Sequence, residues 1–285
     1  MDKRLIDILA CPACHGELRF SGESDDRRLI SGKFKCSGCG LVFPVEDEIA
    51  MLVPPGVNYD GALWDKMEDI DKQMAEWVQR NFESELKRMQ PPLAQEFIKE
   101  VSAVEGPMID IASGPGGSWC VDVMKDGDTN RLLVMSDIGR PVMKAWQRQL
   151  RDVGWADRCS LMVFDARRMP FRDASIAAVT SVVGGVNDVD MAYKEAGRVL
   201  RPCGQLLEVV KFFKEGGPTQ QARKEYGEAV TTWSEYAALL TGLSLRIERS
   251  ELYYSGRGKS DPADEVPLDD NETWECRMVY AAKNA

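Results

Sequence analysis

The chain has 285 residues, 44% of them hydrophobic, and a formal net charge of -10, which is enough to bury the core of one full domain with a small one beside it. No segment has the roughly 18 consecutive apolar residues of a membrane-spanning helix, and MDKRLIDILACPACHG lacks the long apolar stretch of a secretory signal, so we expect a cytoplasmic protein without a membrane partner. The negative charge also opposes non-specific attraction to nucleic acid phosphates.

Four cysteines near the N-terminus form two matched pairs. Cys11 and Cys14 make one C-x2-C, and Cys36 and Cys39 make another. Each two-residue gap lets both sulfurs of a tight turn face one ion, and four thiolates complete a tetrahedron with no position left for water. The spacing predicts a structural Zn²⁺ site, because two disulfides would require an oxidising compartment. His15 is interpreted as a solvent-facing residue of the first turn.

The N-terminal segment resembles the Trm112-like zinc ribbon family. ILACPACHGELRF and FKCSGCGLVFPVEDEIAMLVP follow its pattern of CPxCxGxL and then CxxCxxxYPVxDGIPxML over residues 5–53. Phe43 replaces the usual tyrosine, and Glu48 and Ala50 stand where the family tends to have glycine and proline. The resemblance implies a zinc ribbon, assigned to residues 1–56, from a family known as activators of methyltransferases and also found fused to them.

Residues 57–105 are predicted to form a helical linker or cap. Apolar residues recur there at intervals of three and four, the mark of an amphipathic helix: Leu63, Met67, Ile70, Met74, Trp77 and Val78. Pro91 and Pro92 mark the start of a second helix. This stripe is expected to join the core. PPGVNYDG, residues 54–61, is a predicted hinge.

From residue 108 short apolar runs alternate with helical segments. The runs are MIDIA, RLLVMSDI, CSLMVFD, IAAVTSVVG and GQLLEVVKFF. Continuous apolar strands separated by helices predict an α/β, doubly wound domain with a mostly parallel sheet over residues 106–285. Two further candidates, LSLRIERSELYY and WECRMVYAAK, lack a helical pattern between them, which favours an antiparallel pair. Four single cysteines in this region are expected to be buried: Cys120, Cys159, Cys203 and Cys276.

The glycines of MIDIASGPGGSW follow the first predicted strand, where an open parallel sheet places its ligand crevice. Asp137 ends the second strand, 23 residues beyond Gly114, where a carboxylate can accept both hydrogen bonds of a ribose diol. The pattern therefore predicts a nucleoside site. Trp119 stands where a dinucleotide-binding motif needs a small residue, and no G-K-[ST] follows as in a P-loop.

Four motifs in order resemble the class I S-adenosylmethionine-dependent methyltransferases. DIASGPG is similar to their D-x-G-x-G-x-G loop, SDIGRPVMKAW to the segment with the ribose acid, FDARRMPFRDASIAAVTS to the adenine-contacting segment, and AYKEAGRVLRPCGQL to the segment before the fifth strand. Ala112 and Cys203 replace family glycines. The resemblance implies a Rossmann-like, seven-stranded sheet with one antiparallel strand. It also implies nine cofactor-binding residues: Asp110, Ala112, Ser113, Gly114, Gly116, Asp137, Ile138, Asp165 and Ala166.

The mechanism implied is direct, in-line methyl transfer from S-adenosylmethionine, which depends chiefly on positioning the acceptor. If the acceptor must lose a proton, Asn187 and Asp188 after the fourth strand are the catalytic candidates, although they fit an ordinary loop or helix cap equally well. Lys211 and the tyrosine pair Tyr253 and Tyr254 are weaker candidates. Asp110 could instead serve only to order its own loop.

Three functions fit this pattern. The first is methylation of a small-molecule acceptor, which the acidity of the chain favours. The second is methylation of RNA (tRNA or rRNA) or of a translation factor, suggested by the partners of Trm112-like ribbons. The third is a non-catalytic regulator that binds the cofactor. The sequence leaves open the accepting atom, the oligomeric state, and whether the ribbon docks on its own chain, and it predicts a mobile loop at residues 259–272.

Overall fold

The computed structural model describes residues 1–56, 69–87, 92–116, 118–125, 127–182, 189–225, 227–258 and 271–285. Within these ranges eleven strands form one continuous sheet, in the order β1-β2-β3-β4-β7-β6-β5-β8-β9-β11-β10. The first four strands belong to the N-terminal ribbon, and the other seven form the sheet of the larger domain. In the same ranges no helix is long and apolar enough to cross a bilayer.

The ribbon is an antiparallel meander of four strands, β1 (Leu18–Ser24), β2 (Leu29–Cys36), β3 (Val42–Glu46) and β4 (Ile49–Met51). A two-residue turn joins β3 to β4, and both of its residues are left-handed, with φ of 51° at Asp47 and 69° at Glu48. This is the backbone of a type I′ hairpin turn, whose twist matches that of its strands. The turn therefore keeps its geometry although glutamate stands at the family's glycine position.

The larger domain has five parallel strands, followed in the chain by an antiparallel pair. The parallel strands are β5 (Met108–Asp110), β6 (Leu133–Asp137), β7 (Ser160–Val163), β8 (Ile176–Val182) and β9 (Leu200–Phe213). The pair is β10 (Leu245–Arg257) and β11 (Thr273–Lys283), and β11 lies between β9 and β10, antiparallel to both. The predicted seven-stranded, Rossmann-like sheet with one antiparallel strand is confirmed.

Helices cover both faces of this sheet. They are α1 (Ile70–Lys87), α2 (Pro92–Ala103), α3 (Ser118–Met124), α4 (Arg140–Asp152), α5 (Val189–Val199), α6 (Pro218–Glu225) and α7 (Trp233–Gly242). Met74 and Val78 of α1 are fully buried, which confirms that the predicted stripe belongs to the core. Leu63 and Met67 lie outside the described residues. The division at 1–56, 57–105 and 106–285 stays a prediction.

The ribbon docks on its own chain through strand pairing. β4 runs parallel to β7, with Ala50 opposite Met162 and Met51 opposite Val163, and the Leu52 N–H donates to the Val163 carbonyl over 2.8 Å. Buried side chains of the ribbon and of the larger domain form one apolar cluster. The ribbon therefore extends the larger sheet beyond β7 with one further strand, β4, which is parallel to β7.

Polar contacts from α4 hold the hairpin turn of the ribbon. The Arg151 guanidinium donates to both carboxylate oxygens of Asp47, each over 2.8 Å, while Arg140 pairs with Glu46 and the Gln147 amide donates to the Asp47 carbonyl. These contacts fix the direction in which β4 leaves the turn.

One expectation about the cysteines is wrong. Cys120, Cys159 and Cys276 are buried, but Cys203 is exposed. Cys203 has a φ of 59° and precedes Gly204, at which a Cβ would lie 2.8 Å from the Arg201 carbonyl oxygen. The chain turns sharply at this point, which directs the Cys203 thiol to solvent.

Candidate cofactor cleft and metal centre

The four N-terminal cysteines converge on one point. Their sulfur atoms all lie within 4.8 Å of one another, with 3.7 Å between Cys11 and Cys39 and 3.5 Å between Cys14 and Cys36. Four sulfurs at about 2.3 Å from a zinc ion would be about 3.8 Å apart in a regular tetrahedron. The cluster therefore has the dimensions of a four-thiolate zinc centre.

Backbone N–H groups surround the sulfur of Cys36. Gly38 and Cys39 donate their N–H groups to the Cys36 sulfur over 3.3 and 3.4 Å. Burial raises the pKa of Cys36, but the N–H groups of Cys39 and Gly38 bring it down to about 6. A Cβ at Gly16 would lie 3.1 Å from the Cys36 sulfur, so this turn favours glycine. His15 is exposed and does not belong to the sulfur cluster.

Asp110 orders the loop that follows β5. Its carboxylate accepts hydrogen bonds from the Thr180 hydroxyl and the Trp119 indole, both over 2.9 Å, and from the Ser113 hydroxyl over 2.5 Å. Burial raises the pKa of Asp110 to about 6, and the hydrogen bonds from Ser113, Thr180 and Trp119 partly oppose this rise. The Trp119 indole packs in the core with side chains of α1 and α2. Asp110 therefore orders the loop through hydrogen bonds made inside the core.

The loop itself has a left-handed backbone at two positions, with φ of 50° at Ala112 and 55° at Gly114. Glycine adopts this conformation freely, whereas another residue pays about 1–2 kcal/mol for it. The Trp146 indole of α4 donates to the Gly114 carbonyl over 2.9 Å. The loop is therefore bent at Ala112 as well as at Gly114, although alanine stands at the first of the family's glycine positions.

Asp137 links the loop to the end of β6. Its carboxylate accepts the Gly114 N–H over 3.0 Å and the Gly139 N–H over 2.7 Å. The side chain is 6% exposed, and burial raises its pKa although these N–H groups oppose the rise. Ser113 also lies beside the end of β6, because its N–H donates to the Ser136 carbonyl over 2.9 Å.

A cleft of about 290 Å³ opens beyond the end of β7. Ribbon residues 54–56 line it together with four residues of the larger domain: Asp165, Arg167, Arg168 and Met191. The Arg167 guanidinium donates to both carboxylate oxygens of Asp165, from Nε over 3.0 Å and from Nη2 over 2.9 Å. The sequence signalled Asp165 and Ala166 but not this arginine or the ribbon segment.

The predicted site residues fall into two groups. The loop residues and Asp137 are joined by hydrogen bonds, half-buried Ile138 follows Asp137, and Asp165 and Ala166 follow β7 at the same edge of the sheet. Asn187 and Asp188 lie outside the described residues. Lys211 is on β9 with its ammonium 4.7 Å from the centre of the Trp274 ring, and Tyr254 is partly exposed on β10.

Sequence reasoning missed a buried acid in the core. Glu208 of β9 is 3% exposed and accepts hydrogen bonds from the Tyr193 hydroxyl over 3.1 Å and from the Tyr236 hydroxyl. Burial raises its pKa to about 7, although the bonds from Tyr236 and Tyr193 oppose the rise. The available signal was a single acid inside the apolar run GQLLEVVKFF.

The sheet order, the bent loop after β5 and the carboxylate at the end of β6 define the Rossmann-like fold of S-adenosylmethionine-dependent methyltransferases. Residues 2–48 match the Trm112p-like protein model. Residues 85–232, just over half of the chain, match the ubiE/COQ5 methyltransferase family. The chain belongs to the ubiE/COQ5 methyltransferase family and carries a Trm112p-like segment at its N-terminus.

Curated relatives include two proteins named ubiquinone/menaquinone biosynthesis C-methyltransferase UbiE. The Hahella chejuensis protein is 34% identical over 148 residues, which cover 51% of this chain and 56% of that protein. The Rickettsia prowazekii protein is 32% identical over 127 residues, which cover 42% of this chain and 51% of that protein. The chain thus spans about half the length of these relatives.

Solved structures share the fold at low sequence identity. The [4+2]-cyclase SpnF has a TM-score of 0.53 and 16% identity, covering 68% of this chain and 81% of that one. A geranyl diphosphate C-methyltransferase from Streptomyces coelicolor A3(2) has a TM-score of 0.50 and 13% identity, and the match covers 66% of this chain and 74% of that one. These likenesses establish the fold alone.

Proposed function

We propose that this protein is an S-adenosylmethionine-dependent methyltransferase that acts on a small-molecule acceptor by direct in-line displacement. The observation that carries the proposal is the hydrogen-bonded link between the loop after β5 and Asp137, at the carboxyl ends of adjacent parallel strands. An open parallel sheet binds nucleotides at this edge. Membership of the ubiE/COQ5 family supports the same reading.

The cofactor, when bound, supplies a methyl group on an electrophilic sulfonium. An ionised carboxylate has about four lone-pair positions, so Asp137 can accept two ribose hydroxyls besides the N–H groups of Gly114 and Gly139. The left-handed turns at Ala112 and Gly114 allow the backbone of Ser113 and Gly116 to approach the rest of the ligand. Asp110 contributes to cofactor binding by keeping the loop in this shape.

The adenine ring is assigned to the end of β7. In this assignment Ile138 flanks one face of the ring, and Asp165 with Ala166 meets its edge. The carboxylate of Asp165 is held in place by Arg167. These side chains bind and orient the cofactor, so that the remaining catalytic requirement is an acceptor held in line with the methyl group.

An aromatic acceptor of the quinone-precursor class fits best, because the relatives are named for ubiquinone and menaquinone biosynthesis. Methylation of a ring carbon requires an electron-rich ring, and loss of a proton from a ring hydroxyl provides one. Asp188 remains the proposed acceptor of that proton, and Asn187 the proposed hydrogen-bonding partner of the acceptor molecule. The net charge of -10 weighs against RNA, the second candidate, because nucleic acid binding depends on phosphate attraction.

We also propose that Cys11, Cys14, Cys36 and Cys39 hold a structural Zn²⁺. A centre with four thiolates leaves no open coordination position, so its contribution is to folding. The sulfur spacing of the cluster supports this assignment.

Two measurements test the proposed activity. Titration calorimetry with S-adenosylhomocysteine should detect binding to the native protein. Incubation with S-adenosylmethionine and hydroxylated aromatic acceptors should add one methyl group, detected by mass spectrometry. Cofactor binding without methylation of any acceptor, across small molecules and RNA, would favour the non-catalytic regulator.

A further inference from the structure

The ribbon delivers its last residues to the ligand edge of the sheet. β4 and β7 run parallel, with Met51 opposite Val163, so the residues after both strands emerge at the same edge. The pairing continues one residue further through the bond from the Leu52 N–H to the Val163 carbonyl. Asp165 follows β7 at this edge, and Pro54 follows β4 beside it.

Residues 54–56 and residues that follow β7 line the same cleft of about 290 Å³. Pro55 and Gly56 are exposed, Pro54 is buried, and Met191 is 42% exposed. Proline and methionine give this cleft apolar surface, and Asp165, Arg167 and Arg168 supply polar atoms. Sulfur contacts with aromatic rings are favourable. A flat heterocycle with apolar faces and a polar edge matches this lining.

We propose that residues 54–56 form one wall of the adenine subsite, so that the ribbon itself binds the adenosyl group of the cofactor. This rests on the proposed function and extends it, because it assigns cofactor contacts to the zinc-binding segment of the chain. Met191 at the start of α5 lines the same cleft. The ribbon thus acts on the site through direct contact as well as through strand pairing.

Pro55→Glu tests the assignment, because it places a carboxylate in the proposed wall. The probes are S-adenosylhomocysteine and 5′-methylthioadenosine, which share the adenosyl group but differ at the amino acid end. We expect affinity for both probes to fall at least about tenfold, measured by titration calorimetry. Pro44→Glu is the matched control, since Pro44 is an exposed ribbon proline on β3 outside the cleft, and it should bind both probes as the native protein does.

Met191→Glu enters the same cleft from outside the ribbon and should cause a similar loss, so it carries the test if Pro55→Glu fails to fold. Circular dichroism and zinc content establish that each variant is folded. Native affinity for both probes in folded Pro55→Glu and Met191→Glu would overturn the inference while leaving the proposed function intact. If the native protein binds neither probe, the proposed function fails instead.

Discussion

Replacing Glu208 with glutamine removes a titrating carboxyl from the core while keeping its shape. Burial raises the pKa of Glu208 from 4.5 to about 7, against the opposing bonds from Tyr236 and Tyr193. The folded state therefore binds the proton more tightly than the unfolded chain, and stability contributed by the neutral form is lost as the pH rises from about 4.5 through about 7. At about 1.4 kcal/mol for each pKa unit, the ionised form costs about 3 kcal/mol.

The assay is urea denaturation of the native protein and Glu208→Gln at about pH 4 and about pH 8.5, which lie on either side of the range from about 4.5 to about 7 over which the stability contributed by neutral Glu208 is lost. The free energy of unfolding of Glu208→Gln relative to the native protein should rise by about 3 kcal/mol between the two pH values. Glu215→Gln changes an exposed acid just after β9 and should leave the pH dependence unaltered. If Glu208→Gln loses stability with pH in parallel with the native protein, the reasoning is refuted.

Three other substitutions test the site and its scaffold. Asp137→Ala should lower affinity for S-adenosylhomocysteine at least about a hundredfold, through loss of the proposed charge-assisted ribose bonds, while circular dichroism stays native; undiminished affinity in calorimetry would contradict the assignment. Cys36→Ser should reduce the zinc content and destabilise the ribbon, because metal binding supplies folding energy; a variant that keeps full zinc by mass spectrometry and full stability would rule this out. Ala112→Gly should raise stability by about 0.5–1 kcal/mol, since relief of the left-handed backbone exceeds the added chain entropy; an unchanged or lower melting temperature would argue against strain there.

The sequence predicted the parts of the fold that depend on local patterns. Apolar runs marked the five parallel strands, and the lack of a helical sequence pattern between LSLRIERSELYY and WECRMVYAAK indicated the antiparallel pairing of β10 with β11. The paired cysteines predicted the sulfur cluster because a C-x2-C turn converges on a metal through local geometry.

The sequence did not predict the long-range pairing of β4 with β7. β4 has three residues, IAM, which is too short for periodicity to identify its partner across more than a hundred residues. The cleft between the ribbon and β7 depends on that pairing. The hydrogen bond from Arg151 to Asp47 depends on it as well. The Asp165–Arg167 pair was missed as well, since two residues of separation do not reveal which way either side chain turns.

Positions that differ from the families' glycines are informative. Glu48, Ala112 and Cys203 have φ of 69°, 50° and 59°, so the left-handed backbone survives at all three. Surrounding contacts must hold such residues in place, because the conformation is unfavourable in isolation. At Ala112 the bonds of Ser113 to Asp110 and of Gly114 to Asp137 provide this restraint. A left-handed backbone is therefore present at these positions without glycine.

The crystal structure of the native protein with S-adenosylhomocysteine is the most direct measurement of where the adenosyl group sits. We expect both ribose hydroxyls within hydrogen-bond distance of the Asp137 carboxylate, and the purine beside Ile138 at the end of β7. Ribose density away from Asp137, or no ligand at saturating concentration, would contradict it.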